Sequence, residues 1–267
     1  MLVKKLMIQN PIVIDKDQSV SFAIDLMRKN RISRLPVLDK GVLVGIITER
    51  DIVAKLSSGR ATGLSSSSIR VSSIMTSNPM TISQEADVTE AAKEMVAHNV
   101  SCLPVITKED RFVGIITKTR MLKLCLKVDN IYVGQVMTKN PTTTSPNTRL
   151  VNVGRLLLEK NLNLLPVIDG GKLVGLITDG LIALAMFNIV DKTDGKHVDR
   201  QIRQGTVSSA MRSTPPFCKP DSKIKDAAKL MIEERLKGLP VLDYNNRLVG
   251  VITKTNLTQL VSNRLEV

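Results

Sequence analysis

One phrase occurs four times in this chain: GIITERD at Gly45–Asp51, GIITKTR at Gly114–Arg120, GLITDGL at Gly175–Leu181 and GVITKTN at Gly250–Asn256. Ordered repetition constrains a fold more than local propensity does. Each copy must be one supersecondary unit, and each unit must bury its apolar face against another. The four glycines lie 69, 61 and 75 residues apart, spacings too uneven for a tight solenoid. The extra length falls in SSGRATGLSSSSIR, a Ser/Gly-rich and flexible linker, and in the polar DKTDGKHVDRQIRQG.

The sequence around each phrase is also shared. Each copy opens on a polar phrase ending in proline: LMIQNP at Pro11, IMTSNP at Pro79, VMTKNP at Pro141 and AMRSTP at Pro215. A short extended segment follows, then a helical pattern in which Val20, Ile24 and Met27, or Val88, Ala92 and Met95, share one face. LPV strands begin at Leu35, Leu103, Leu165 and Leu239, and a turn joins each to the apolar run that enters the phrase. A second helix starts at the Thr. The unit is β-α-β-β-α, an α/β (α+β) arrangement, with repeats at 1–56, 71–128, 129–190 and 207–267 and linkers at 57–70 and 191–206. A unit of about 60 residues is marginal alone. We therefore expect repeats 1 and 2, and repeats 3 and 4, to pair sheet to sheet.

Composition narrows the function. The chain has 267 residues, 43% of them hydrophobic, enough for buried cores. Its apolar runs are too short to span a bilayer, the N-terminus lacks a secretory pattern, and three cysteines without CxxC spacing suggest reduced thiols. A cytoplasmic location without membrane attachment is the expectation. The net charge of +13 is spread along the chain and calls for anionic partners: nucleic acid, a membrane surface or phosphorylated metabolites. Aromatics at 2% supply a poor base-stacking platform. No G-x-S-x-G, Walker A or H-E-x-x-H motif occurs, and two separated histidines make no metal set, so neither catalysis nor a metal is expected.

The M-T-x-x-P opening, the LPV strand and the G-h-h-T-x-x-D ending resemble the cystathionine β-synthase (CBS) domain over essentially the whole chain. The four-repeat order resembles the γ subunit of AMP-activated protein kinase and its stand-alone archaeal relatives. The resemblance implies two Bateman modules, each a pair of CBS repeats, forming a flat disc whose clefts bind adenosine compounds.

The four endings separate two tasks. Thr48, Thr117, Thr178 and Thr253 are all present, as helix capping requires. The fourth position varies through Asp51, Arg120, Leu181 and Asn256, so capping does not need a carboxylate there. A carboxylate can accept from both ribose hydroxyls, and the resemblance implies that role for Asp51 with Thr48, and for Asn256 with Thr253 as a neutral acceptor. Arg120 offers donors only. Adenine-slot candidates are Ile12, Val13, Met80, Thr81 and Phe217 after the opening prolines, and Ile46, Ile47, Val251 and Ile252 before the Thr residues; the alternative for each is ordinary core. Phosphate candidates are the basic groups Arg31, Arg34, His98, Lys118, Arg120, Arg235 and Lys237, whose alternative is a solvated helix end. His98 in particular could cap its helix.

The leading expectation is a sensor holding AMP, ADP or ATP and signalling to a protein partner, a kinase or metabolic enzyme, with a homodimer also admitted. Rival readings are a nucleic-acid-associated basic protein, an interaction scaffold with vestigial sites, and an S-adenosylmethionine sensor.

Overall fold

The computed structural model describes residues 1–57, 69–192, 201–202 and 204–264. The 57–70 and 191–206 linkers expected from sequence therefore lie largely outside the described residues.

Each repeat builds the same small sheet. In repeat 1, strand Ile14–Asp15 runs parallel to Arg34–Asp39, which pairs antiparallel with Val42–Thr48. Helices Val20–Asn30 and Glu49–Ser57 follow the first and last of these strands. Repeat 2 repeats the plan with Ile82–Ser83, Cys102–Ile106, Phe112–Thr117 and helices Val88–Ala97 and Lys118–Cys125. In repeats 3 and 4 the first strand shrinks to the parallel bridges Thr144–Val167 and Cys218–Val241. The helices expected from periodicity bury the expected face: Val20, Ala23, Ile24 and Met27 in repeat 1, and Val88, Ala91, Ala92 and Met95 in repeat 2.

One edge strand of each sheet, the fourth in repeats 1 and 2 and the third in repeats 3 and 4, comes from another repeat. Ile8–Gln9, the opening of repeat 1, pairs with Phe112–Thr117 of repeat 2, and Thr76–Ser77 of repeat 2 pairs with Val42–Thr48 of repeat 1. Repeats 3 and 4 exchange Thr138–Lys139 and Arg212–Ser213 in the same way. This exchange accounts for the glycine of the recurring phrase. A Cβ on Gly114 would lie 2.7 Å from Ile8 O and 3.0 Å from Met7 Sδ, and one on Gly45 would lie 2.5 Å from Met75 Sδ. Met137 over Gly250 and Met211 over Gly175 complete the set. The opening methionine of each repeat thus seats on its partner's glycine, where any side chain would push the exchanged strand away.

The helices pair differently from the sheets. Glu49–Ser57 of repeat 1 packs on Asp179–Lys192 and Leu150–Glu159 of repeat 3; Lys254–Arg264 of repeat 4 packs on Val88–Ala97 and Lys118–Cys125 of repeat 2. One large core joins repeats 1 and 3, around Ile47, Ile52, Leu157 and Ile177. A second joins repeats 2 and 4, around Met95, Leu122, Met231 and Leu257. The sheet-to-sheet clusters are small, Ile46 with Cys102 and Ile115 on one side and Leu164 with Leu176 and Val251 on the other. Burial of each large side chain is worth roughly 1.5–3 kcal/mol, so the helical contacts dominate the stability. The expected 1–2 and 3–4 pairing is present in the sheets, and the 1–3 and 2–4 helix contacts close the four repeats into a ring.

Candidate functional site

The ring encloses a cavity of about 740 Å³ lined by side chains from all four repeats. Its apolar lining includes Ile8, Pro11, Ile12, Pro36 and Ile115; its polar lining carries eight cationic side chains, Arg28, Arg31, Arg34, Arg50, Lys118, Arg235, Lys237 and Lys254, against two carboxylates, Glu49 and Asp179. A pocket of this size and mixed character is in the range for small ligands.

The second letter of each T-x-x-x ending meets at this centre: Glu49, Lys118, Asp179 and Lys254, each the first residue of its helix. The 2–4 contact brings the two lysines together. Lys118 Nζ donates to Thr255 Oγ1 at 3.1 Å, and Lys254 Nζ donates to Thr119 Oγ1 at 2.8 Å, a reciprocal pair across the interface. Neither ammonium has a carboxylate partner among the described residues. Lys118 is 4% exposed, and burial, with the nearby Arg34 guanidinium, lowers its pKa to about 8. Burial, then Arg34 and Lys237, lower Lys254 to about 7. Arg34 itself is held by Ser101 O at 2.6 Å and by Ser33 Oγ at 2.7 Å.

The 1–3 contact brings the two acids together instead, around Lys237 of repeat 4. Lys237 Nζ donates to Glu49 Oε2 at 2.7 Å and also to Asp179 Oδ1. Burial works against the Lys237 charge, but Asp179 and Glu49 outweigh it and raise its pKa above the ordinary lysine value. Arg50 crosses to repeat 3 and donates to the carbonyls of Leu157, Leu158 and Leu162 and to Asn161 Oδ1, capping the end of helix Leu150–Glu159.

The residues singled out by sequence fall in different places. Arg31, Arg34, Lys118, Arg235, Lys237, Thr48 and Ile12 line the cavity. Arg31 and Arg235 do so from left-handed backbone, with φ of 53° at both. His98 is exposed and sits 3.3 Å from Glu94 on its own helix, away from the cavity. Arg120, which also does not line it, gives its backbone N–H to Thr117 Oγ1 at 3.3 Å. Ile47 and Ile252 are 0% exposed in the two large cores, while Ile46 and Val251 lie in the small inter-sheet clusters. Ile12, Met80 and Phe217 are exposed at 39%, 37% and 45%, and only Ile12 of the three lines the cavity. Thr81 is exposed and Val13 half-buried.

Asp51 completes a reciprocal cap. Its Oδ2 accepts from Thr48 N at 2.8 Å and from Thr48 Oγ1 at 2.7 Å, while Thr48 Oγ1 accepts from Asp51 N. Asn256 Oδ1 does the same with Thr253, at 2.9 and 2.6 Å. In repeats 2 and 3 only the Thr half survives, at Thr117 and Thr178. Burial raises the Asp51 pKa above the usual carboxylate value, with the Thr48 hydrogen bonds opposing. Asp51, Thr253 and Asn256 do not line the cavity, whereas Thr48 does; Asp51 Oδ1 makes no hydrogen bond among the described residues, leaving one acceptor uncommitted beside Thr48.

Sequence reasoning missed Glu49, Asp179, Lys254 and the two threonines Thr119 and Thr255. The signal was present in the alternation Glu, Lys, Asp, Lys directly after each motif Thr. Burial pushes the Cys125 and Cys218 thiols up to about 12 and raises Cys102 as well, so none is an activated nucleophile. Among the described residues no His, Cys, Asp or Glu cluster has the makings of a metal site, and no helix is long and apolar enough to cross a membrane.

The CBS domain family model matches residues 3–58, 71–127, 133–188 and 207–263. The chain belongs to the CBS-domain family. Uncharacterized protein MJ1225 of Methanocaldococcus jannaschii is 29% identical over 88% of this chain and 89% of its own. Its crystal structure, described as a proposed archaeal homologue of g-AMPK, superposes with a TM-score of 0.85 at 25% identity, covering 97% of this chain and 99% of that one. An uncharacterized conserved protein from Pyrococcus horikoshii shares the fold, with a TM-score of 0.66 at 20% identity over 98% of this chain and 100% of its own. A CBS domain-containing protein of Dictyostelium discoideum is 39% identical over 48% of this chain and 92% of its own length.

Proposed function

We propose that the chain is a regulatory adenine-nucleotide sensor, binding AMP, ADP or ATP in the central cavity and transmitting occupancy to a protein partner. The observation that carries this reading is the group formed by Arg34, Lys118 and Lys254. It is a cationic cluster, with Lys118 buried and Arg34 and Lys254 half-buried, in which neither lysine has a carboxylate hydrogen-bond partner among the described residues, and it faces a cavity of ligand size. Desolvating charge without a directly paired counter-charge is costly; Glu49 acts on Lys254 only at a distance, and the phosphates of a nucleotide would supply the contacting anion. The apolar lining around Ile12, Pro36 and Ile115 suits a purine ring, and Asp51, which does not itself line the cavity but is hydrogen-bonded to the cavity-lining Thr48, offers Oδ1 as the acceptor for ribose.

Eight cations around the cavity disfavour S-adenosylmethionine, whose sulfonium would add another positive charge. Nucleic acid is disfavoured because these cations converge on a concave centre of small-ligand size, and the aromatic content of 2% offers few stacking platforms. Because all four repeats contribute, a ligand here ties both modules together. It shifts their relation by its differential affinity for the two arrangements, which gives a partner something to read. The chain acts as a binder, with no catalytic step assigned to it.

Calorimetric titration tests this. AMP, ADP or ATP should bind with micromolar affinity, about −8 kcal/mol, and Lys118→Met should weaken binding by roughly tenfold or more, as expected for loss of a charge-assisted contact. Absence of binding by all three nucleotides would overturn the reading.

A further inference from the structure

Lys237 faces the cavity but is already occupied. Glu49, Asp179 and Lys237 come from repeats 1, 3 and 4, and the two carboxylates share the one ammonium. The Asp179 side chain is 7% exposed and also accepts from Gly180 N at 2.8 Å, so it is fixed in its helix. The Glu49 side chain is 24% exposed, and Lys237 is its sole hydrogen-bond partner among the described residues. Its seat depends on a missing side chain. A Cβ on Gly180 would lie 2.5 Å from Glu49 Oε2 and 2.7 Å from Glu49 Cδ. One carboxylate would suffice to neutralise Lys237; the second leaves a negative charge beside the cluster of Arg34, Lys118 and Lys254.

Building on the nucleotide reading, we infer that Glu49 is the cavity's resident anion, holding Lys237 in place of a ligand phosphate and thereby setting how many phosphates the cavity accepts. A short phosphate chain that engages Arg34, Lys118 and Lys254 leaves the triad intact. A longer chain arriving at Lys237 meets the Glu49 carboxylate and must displace it. Like charges brought into contact at a largely desolvated carboxylate repel, and the Glu49 side chain is only 24% exposed. Glu49 therefore discriminates against the triphosphate, and Gly180 supplies the space that lets it do so.

The test is the ratio of AMP to ATP affinity, measured calorimetrically on the full chain and on Glu49→Gln and Gly180→Ala. Glu49→Gln removes the charge. Gly180→Ala keeps the glutamate but evicts its carboxylate, and it replaces a helical glycine with a better helix former. In both variants ATP should tighten by about tenfold while AMP changes by less than about threefold, the asymmetry expected when a repulsion felt by the distal phosphates is relieved. Thermal melts report whether each variant folds; if Glu49→Gln does not, Gly180→Ala carries the comparison. A ratio unchanged in the folded variants overturns the role of Glu49 while leaving nucleotide binding standing. A wild-type chain that binds neither nucleotide overturns the nucleotide reading itself.

Discussion

Consider ADP binding at pH 7.5. The cavity holds a buried lysine, Lys118, and a half-buried one, Lys254, with depressed pKa values of about 8 and about 7. At those values about a quarter of Lys254 and three quarters of Lys118 carry charge at pH 7.5. A phosphate held against both restores the ordinary lysine range, so binding should take up about one proton per ligand. At pH 6 both lysines are already charged, so their uptake falls to about a tenth of a proton, while a phosphate with a second pKa of about 6 gives up as much as about half a proton on binding; the net uptake should vanish or turn to release. The phosphate contributes little at the higher pH, since its own second pKa is about 6. Uptake on binding means that affinity falls as pH rises, by roughly tenfold per unit around pH 7.5. The assay is calorimetric titration in buffers of different ionisation enthalpy, whose slope gives the proton number. A slope near zero at pH 7.5, or equal slopes at pH 6 and 7.5, would refute the assignment of phosphate to these lysines. The same groups set a stability trend in the free protein. Between their folded values and 10.5 the unfolded chain binds more protons, so their burial costs less, and stability rises, as pH increases across that window.

Other consequences can be measured directly. Gly114→Ala should destabilise by about 1–3 kcal/mol in chemical melts, because its Cβ meets the exchanged strand; an unchanged midpoint would contradict the strand exchange. Thr214 holds a φ of 49° where the other three repeats have Asn10, Asn78 and Asn140. Thr214→Asn should therefore stabilise by about 1 kcal/mol by relieving a β-branched residue in left-handed backbone. Asp51→Asn should keep the helix cap, as Asn256 does, with stability within about 0.5 kcal/mol of wild type, whereas Asp51→Ala should lose about 1 kcal/mol. Asp51→Asn should nonetheless weaken nucleotide binding several-fold, because a neutral acceptor replaces a charged one; equal affinity would remove Asp51 from the ribose.

Much of the fold could be read from the repeats. The order of strands and helices, the apolar faces of the first helices and the pairing of neighbouring sheets follow from periodicity and turn residues. The exchange of opening strands does not, because Met7 and Gly114 are distant in sequence and nothing local says that one seats on the other. The site divides in the same way. Arg31, Arg34, Arg235 and Lys237 ahead of the LPV strands of repeats 1 and 4 reach the cavity, whereas His98 ahead of that of repeat 2 turns back to Glu94 on its own helix. The last letter of the recurring phrase drew attention by varying, yet Asp51 and Asn256 do the same capping work. The letter after the Thr proved central. Whether its acids face acids or lysines depends on helices pairing 1 with 3 and 2 with 4, a long-range contact that no single repeat encodes.

The most direct test of the central claim is a crystal structure of the protein grown with ADP. The account predicts phosphate oxygens within hydrogen-bond distance of Lys118 Nζ and Lys254 Nζ, with the ribose hydroxyls on Asp51 Oδ1. A nucleotide bound elsewhere on the chain, with both ammonium groups still paired only to Thr255 and Thr119, would contradict it.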